Sequence, residues 1–411
     1  MSKCSGLNFF IVDDDIAVSK PMAALLKKAG HKVTIFRDGG TALREIPKAR
    51  PDFISIAIMM PGMDGLELLK KLRAVKVLDK TKIIMLSGKV YEFDRKRSME
   101  FGADGFITKP LNPDIFLDYV NRICEDRVDV SFFGVRGTLP VPGEGSLKYG
   151  GNTSCVAMEF PKGQFFVFDA GSGIKKLADK LLAQKRRRID AHIFISHPHW
   201  DHINALPFFT PLYMQGNKFT FYGSSHGNLS TQELISAQMD GVYFPITIHE
   251  FASHVEFNDI KEETFKVDGI TIDTMLLSHP GYCLGFRIHY KKRLICYITD
   301  NELFPKDNEN FEPGYVKKLL KFIHGADMLI MDSTYTDGEY AAKIGWGHSP
   351  VSAVVELAHR AKAKNLYLFH HDPDQTDKDI DAKLKTAKNL LRKKKSKTRV
   401  FAPAEGTGVK V

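Results

Sequence analysis

Residues His197-Pro198-His199-Trp200-Asp201-His202 follow the apolar run 193–195 and lead into a helix-like stretch reaching Leu206. Four potential ligands within six residues, at a strand-to-helix turn, can aim several donors into one cavity. Neutral imidazoles beside a carboxylate suit zinc, manganese or iron, so residue type alone does not select the metal. The competing reading is a polar loop that happens to be rich in histidine, and a single histidine would favour it. Positions downstream argue against that reading. His279 follows the run 275–278 in Ser-His-Pro-Gly, Asp300 ends 294–299 in Tyr-Ile-Thr-Asp, and His370 ends 366–369 in Leu-Phe-His-His-Asp-Pro. Each falls at the end of an apolar strand pattern, where a loop-facing ligand belongs. His371 is the alternative at the last position, and strand alternation favours His370.

Around this turn the chain is strand-rich, then mixed. Strand patterns occupy 128–133, 155–160, 164–169, 191–196, 219–222, 285–289, 293–298, 328–332 and 365–369, with helical patterns at 174–183 and 349–361. Further motifs are Phe-Gly-Val-Arg-Gly at 133–137, Tyr-Gly-Gly-Asn-Thr-Ser-Cys at 149–155, Phe-Asp-Ala-Gly-Ser-Gly at 168–173 and Gly-Trp-Gly-His-Ser at 345–349. With the ligand positions, these motifs make residues 127–411 resemble the metallo-β-lactamase superfamily. The similarity is closest to its phosphodiesterase branch, which includes transfer-RNA 3′-processing ribonuclease and related cyclic-nucleotide and phosphonate-pathway phosphodiesterases. The resemblance implies an αββα fold and two divalent metal ions (Zn, Mn or Fe). His197, His199 and His279 would hold one ion, Asp201, His202 and His370 the other, and Asp300 would bridge them. Such a pair makes hydroxide available at neutral pH and stabilises charge on a phosphoryl oxygen. Asp169 is expected to orient a ligating histidine rather than bind metal. His348 and Asp201 are the expected catalytic residues, His348 as a proton donor or phosphate contact, against its reading as a helix-capping histidine. Arg136 and Asn152 divide evenly between substrate contact and turn stabilisation.

The amino-terminal part alternates short strands (9–12, 32–36, 53–58, 83–86, 105–107) with helical stretches (16–29, 40–46, 65–74, 94–101, 112–124). Gly30 and Gly102 sit where helices should end, and Pro21 should remove a hydrogen bond from the first helix and bend it. Five β/α units imply a parallel sheet covered on both faces, with ligands beyond the carboxyl ends of its strands. Asp13 and Asp14, Ser87, and Lys109-Pro110 fall at those ends. Residues 1–126 resemble the receiver domain of response regulators, a five-stranded, doubly wound parallel sheet. By that resemblance Asp13 and Asp14 hold a magnesium ion, Ser87 is the switch hydroxyl and Lys109 contacts the phosphate. The phospho-accepting position is Ala57, whose methyl group cannot be phosphorylated. A natural pseudo-receiver and a substitution that freezes the switch are both compatible with this. Asp15 and Asp52 read as a helix cap and a turn residue.

The 411 residues suggest two domains, and 43% hydrophobic and 26% charged content is that of a globular chain. The net charge of +9 arises partly from the runs at 185–188 and 392–397, which lack the interleaved aromatics of a single-strand binding platform. Five cysteines without a Cys-x-x-Cys pair argue against a disulfide framework. With no membrane-length apolar run and no long apolar leader, a cytoplasmic protein without a membrane partner is expected. The connection near residue 126 is short, which favours a restricted domain geometry. The leading reading is a receiver-linked, metal-dependent phosphodiesterase acting on a cyclic or small nucleotide. The alternatives are a hydrolase of lactones, thioesters or β-lactams, and a non-catalytic signalling module. A sensor histidine kinase is the expected partner if position 57 is natively aspartate, and a receiver-mediated homodimer is left open.

Overall fold

The computed structural model describes residues 6–88, 92–186 and 188–411, so Cys4 and Arg187 of the basic run lie outside the described residues. The chain divides into two compact units. The first holds Met1–Asp129 with two short segments, Glu159–Gln164 and Gln184–Arg188, and the second holds the remainder.

In the first unit, strands β1 (Asn8–Val12), β2 (Lys32–Phe36), β3 (Phe53–Ala57), β4 (Lys82–Ser87) and β5 (Gly105–Thr108) alternate with helices α1 (Ile16–Lys28), α2 (Gly39–Ala49), α3 (Gly65–Arg73), α4 (Glu92–Glu100) and α5 (Pro113–Glu125). The sheet is parallel in the order β2-β1-β3-β4-β5. The two-residue side-chain period of a strand explains its double coat. Phe9 and Ile11 pack with Met22, Leu26 and Phe116, while Phe10 and Val12 pack with Ile46, Leu68 and Leu72. Asp15 caps α1 by accepting from the Ala17 amide, and Asp52 accepts from the Asn8 amide where β3 begins. α1 carries Pro21 in its interior and runs through it to Lys28. Gly30 and Gly102 take the left-handed φ values expected where helices end.

The second unit is a sandwich. One sheet joins β6 (Asp129–Gly134), β7 (Cys155–Glu159), β8 (Phe165–Phe168), β9 (Asp190–Phe194), β10 (Lys218–Gly223) and β11 (His254–Asp259). The other joins β12 (Thr264–Val267), β13 (Ile270–Leu276), β14 (Leu284–Tyr290), β15 (Arg293–Ile298), β16 (Met328–Asp332), β17 (Asn365–Phe369) and β18 (Arg399–Phe401), and β19 (Gly408–Lys410) returns to pair with β6 in the first. The second sheet is antiparallel from β12 to β15 and parallel from β15 to β18. Alternation again assigns the faces. Phe165, Val167 and Ile193 pack outward with Leu177 and Leu181 of α6 (Gly173–Ala183). Phe168 and Phe194 point inward and meet Phe286 of the opposite sheet at 5.4 and 5.6 Å between ring centres. After α6 come α7 (Trp200–Ile203), α8 (Thr231–Ala237), α9 (Pro313–Phe322), α10 (Asp337–Tyr340), α11 (Val351–Arg360) and α12 (Asp377–Lys393). Leu319 of α9, Val354 of α11 and Leu391 of α12 cover the outer face of the second sheet. The helix-like stretch expected through Leu206 is shorter than its pattern implied: α7 has four residues, then a 3-10 turn at Leu206–Phe208 follows. None of the four described cysteines forms a disulfide, and among the described residues no helix is long and apolar enough to cross a membrane.

The buried stripe of α12 contains a lysine. Lys383 lies among Ile380, Ala387 and Leu391 and donates to the carbonyls of Ser333 and Thr334 at 2.6 and 2.9 Å and to Gln375 Oε1 at 2.7 Å. Burial pushes its pKa down to about 7, against the pull of Glu339 and Asp332. Folded Lys383 therefore holds its proton less tightly than an unfolded lysine does. Between about pH 7 and the ordinary lysine value the unfolded chain binds more protons, so stability rises with pH across that window. Denaturant titrations should show this rise, at most ~1.4 kcal/mol per pH unit from this group. Lys383→Met should flatten it and cost about 1–3 kcal/mol by orphaning the buried carbonyls.

Candidate metal centre

The seven predicted ligands converge at one end of the sandwich. His197, His199, His279 and Asp300 offer ligand atoms that all lie within 4.8 Å of one another, and so do Asp201, His202, Asp300 and His370. Asp300 belongs to both groups. Its Oδ2 lies 3.5 Å from His197 Nε2 and 3.7 Å from His279 Nε2, and its Oδ1 lies 3.2 Å from His202 Nε2 and 3.1 Å from His370 Nε2. Asp201 Oδ2 lies 3.2 Å from His202 Nε2 and 3.1 Å from His370 Nε2, and it accepts from the Thr138 amide at 2.8 Å. His370 is the residue in the cluster. His371 is buried outside both groups, and its amide pairs with the Val135 carbonyl.

Local backbone geometry places these side chains. The chain turns left-handed immediately after β8 and β17, at Asp169 (φ 59°) and His370 (φ 61°). Conformations of that kind in non-glycine residues persist only where surrounding structure enforces them. Gly137 leaves room for one ring: a Cβ there would overlap His370. Gly347 does the same for His279 and also accepts from His279 Nδ1 at 2.9 Å through its carbonyl. Arg136 is fully buried and donates to the carbonyls of Gly150, Asp372 and Gln375, and Asn152 bonds to Glu405 and Ser172. Both therefore brace loops.

The tautomers follow from partners on the outer side of each ring. His202 Nδ1 lies 2.8 Å from Asp169 Oδ2, as expected of an aspartate that orients a histidine. Asp169 also accepts from the Ser196 amide and hydroxyl and from the Tyr297 hydroxyl at 2.7 Å. Carboxylates and carbonyls accept only, so His202 and His279 each donate from Nδ1 and turn Nε2 inward. There His202 Nε2 is buried without a hydrogen bond and faces two carboxylates. His199 Nδ1 lies 2.9 Å from His197 Nε2 and 3.1 Å from His279 Nε2. Nitrogens packed this closely against one another and against carboxylate oxygens need protons or cations among them. The donor set thus fits two divalent ions with nitrogen and oxygen ligands. Burial pushes His197 well below the ordinary imidazole range. For His202 burial acts the same way, but Asp201, Asp300 and Asp169 outweigh it and hold that ring well above the range.

His348 lies beside the second cluster, its ring stacked 4.9 Å from that of His370. Its Nδ1 is 2.9 Å from Oδ2 of Asp332, which ends β16. Burial opposes protonation of His348, but Asp332 prevails and the pKa rises to about 9. Sequence reading missed Asp332, although it ends an apolar strand as Asp300 does. It also missed Glu302, which is buried and accepts from the Gly345 and Gly347 amides and the Tyr340 hydroxyl, each at 2.7 Å. No local pattern signals that role.

In the receiver-type sheet, Asp13, Ala57, Ser87 and Lys109 all fall at the carboxyl ends of strands or just beyond. Asp13 is buried and Lys109 Nζ lies 2.6 Å from its Oδ2, whereas Asp14 is exposed. Burial raises the Asp13 pKa despite Lys109. The Lys109–Pro110 peptide is cis.

A receiver-type sheet followed by a metallo-β-lactamase-type sandwich with two ligand clusters defines the class. Residues 9–121 match the response regulator receiver domain model, and residues 165–371, just over half of the 411, match that of the beta-lactamase superfamily domain. The chain belongs to the beta-lactamase superfamily. It is similar to sensory transduction protein RegX3 of Mycobacterium tuberculosis, 37% identical over 102 residues, which are 25% of this chain and 44% of that protein. Similarity to the alkaline phosphatase synthesis transcriptional regulatory protein PhoP of Bacillus subtilis is 36% over 103 residues, 25% of this chain and 42% of that one. The chain thus spans less than half the length of these relatives. The solved metallo-beta-lactamase fold protein YhfI from Bacillus subtilis aligns with a TM-score of 0.50 at 17% identity, over 70% of this chain and 100% of that one, and so shares its fold.

Two outcomes are expected here. Asp169→Asn removes the acceptor that fixes the His202 tautomer and should weaken metal retention about 10- to 100-fold, measured by metal analysis after dialysis against a graded chelator. With magnesium and acetyl phosphate the native chain should take up no phosphoryl group in the first unit, while Ala57→Asp should take up one, read by intact mass.

Proposed function

We propose that the second unit is a binuclear metal-dependent hydrolase acting on phosphodiesters, a cyclic or small nucleotide being the favoured substrate. The observation that carries this is the pair of ligand clusters sharing Asp300 with His348 beside them. A structural metal site needs no second cluster and no adjoining cavity, yet a cavity of about 760 Å³ reaches His199, Asp201, His279, Asp300 and His348. When bound, the two cations would supply Lewis acidity and hydroxide at neutral pH.

The chain's own groups supply orientation and proton transfer. Asp300 presents one oxygen to each cluster. Asp201, fixed by the Thr138 amide, is the second carboxylate and the proposed catalytic acid-base partner. His348 uses Nδ1 on Asp332, which leaves Nε2 as its remaining polar atom in a residue that lines the cavity. From there it donates a proton to the leaving alkoxide or contacts a phosphoryl oxygen, and Asp332 stabilises the imidazolium form. A protonated imidazole here can both neutralise charge on a non-bridging phosphoryl oxygen and protonate the leaving alkoxide, which supports the phosphodiester reading. In the first unit Asp13, Asp14, Ser87 and Lys109 are the magnesium and switch residues of a receiver whose Ala57 blocks phosphorylation. A sensor kinase is its proposed partner where position 57 is aspartate.

Manganese- and zinc-loaded protein should hydrolyse bis(p-nitrophenyl) phosphate and at least one member of a panel of cyclic mononucleotides, dinucleotides and short RNA, but neither nitrocefin nor acyl-homoserine lactones. Asp201→Ala should abolish turnover. His348→Ala should retain metal and lower kcat about 10²- to 10⁴-fold. Lactone turnover without phosphodiester turnover, or full activity in Asp201→Ala, would overturn the assignment.

A further inference from the structure

The chain contains two tryptophans, Trp200 and Trp346. Tryptophan is on average a well-buried residue, and an exposed indole forgoes the stabilisation that burial would bring. Here both are solvent-exposed, at 77% and 62%. Both line the cavity that holds the ligand clusters. They come from separate parts of the chain. Trp200 opens α7 between His199 and Asp201, and Trp346 lies in the Gly-Trp-Gly segment after α10.

The backbone beneath each indole is fixed. The Trp200 carbonyl accepts from the Asn204 amide at 2.7 Å, and the residues on either side of Trp200 belong to the two clusters. Gly345 and Gly347 flank Trp346 at φ 89° and 86°, and Glu302 receives both their amides. The Trp346 amide itself donates to the Lys343 carbonyl at 3.2 Å. Lys343 Nζ is 2.8 Å from Asp372 and stands 4.6 Å from the centre of the Tyr335 ring and 5.8 Å from that of Trp346. Two large rings are thus presented to solvent from rigid supports around one opening.

We infer that Trp200 and Trp346 are specificity-determining residues that stack on a planar aromatic ring of the substrate, a nucleobase, while its phosphodiester reaches the histidine and aspartate cluster. The inference rests on the phosphodiesterase reading of that same site. The buried part of the cavity lining holds Asp201, Asp300 and His348 and its exposed part includes both indoles, which matches a ligand anionic at one end and flat and apolar at the other. Its volume falls within the roughly 300–1,000 Å³ of small-ligand pockets. Indole faces accept any base, because stacking is sequence-tolerant, so the rings select for a base without naming which. Displaying them on fixed backbone removes most of the ordering cost on binding.

With no other tryptophan in the chain, indole emission reports on these two rings alone. Metal-loaded full-length protein is titrated with adenosine 5′-monophosphate and, in parallel, with ribose 5-phosphate, exciting at the red edge of the indole band. Adenosine 5′-monophosphate should change the emission saturably and bind at least tenfold more tightly than ribose 5-phosphate. Trp200→Ala and Trp346→Ala should each weaken nucleotide binding about tenfold or more while leaving ribose 5-phosphate binding unaltered, and the phenylalanine variants should recover part of the loss. Metal analysis on each variant checks that the clusters remain loaded. Equal affinity for the two probes, or unaltered nucleotide affinity in the doubly substituted protein, measured by titration calorimetry because no indole remains in it, overturns the inference. So does an emission change produced by lipid vesicles and not by the nucleotide. Failure of the phosphodiesterase reading shows separately, as absence of turnover on every phosphodiester in the panel.

Discussion

The second unit depends on a buried carboxylate that both sheets share. Asp169 follows β8 of one sheet, and its oxygens accept from Ser196 and His202 beyond β9 and from Tyr297 of β15 in the other sheet. A carboxylate removed from water is costly unless its lone pairs are filled, and here four donors fill them. Losing any donor would leave an uncompensated charge between the sheets. The sandwich is therefore held in the arrangement that also points His202 at the ligand clusters.

The same logic recurs around the site. Each of three rings is fixed from behind: His202 by Asp169, His279 by the Gly347 carbonyl and His348 by Asp332. Those outer bonds fix each ring so that Nε2 faces inward, toward the ligand clusters for His202 and His279 and into the cavity, as a proton donor, for His348. Glu302 extends this one step outward by fastening the loop from which His279 takes its acceptor. Orientation at the centre thus originates in groups outside the lining of the cavity at the clusters.

The first unit shows how little its sheet depends on the side chain at one strand end. Ala57 is buried at the end of β3 and costs the sheet nothing, since a methyl group packs there without a partner. Asp13 and Lys109 pair at 2.6 Å across the strand ends. The parallel sheet is specified by apolar alternation, which a single substitution at a strand terminus leaves untouched.

The local pattern of residues determined a great deal here. Strand-end positions of His279, Asp300 and His370, the histidine-rich turn, and the alternation in β1 and β8 are properties of short windows, and periodicity reads short windows well. The role of Asp332 was only half legible: its strand end was visible, but its pairing with His348 joins residues 16 apart through a fold no window contains. Arg136, Glu302 and Lys383 lie further out of reach. Each is a charged residue that composition would place on the surface, and each is buried because backbone carbonyls or amides from distant segments complete its hydrogen bonds. Sequence alone decided which elements form and which of their ends carry ligand chemistry, because those follow from local periodicity. Tertiary structure alone decided which charges go inside and which nitrogen of each ring faces the centre, because those depend on partners that only the packed sheets bring together.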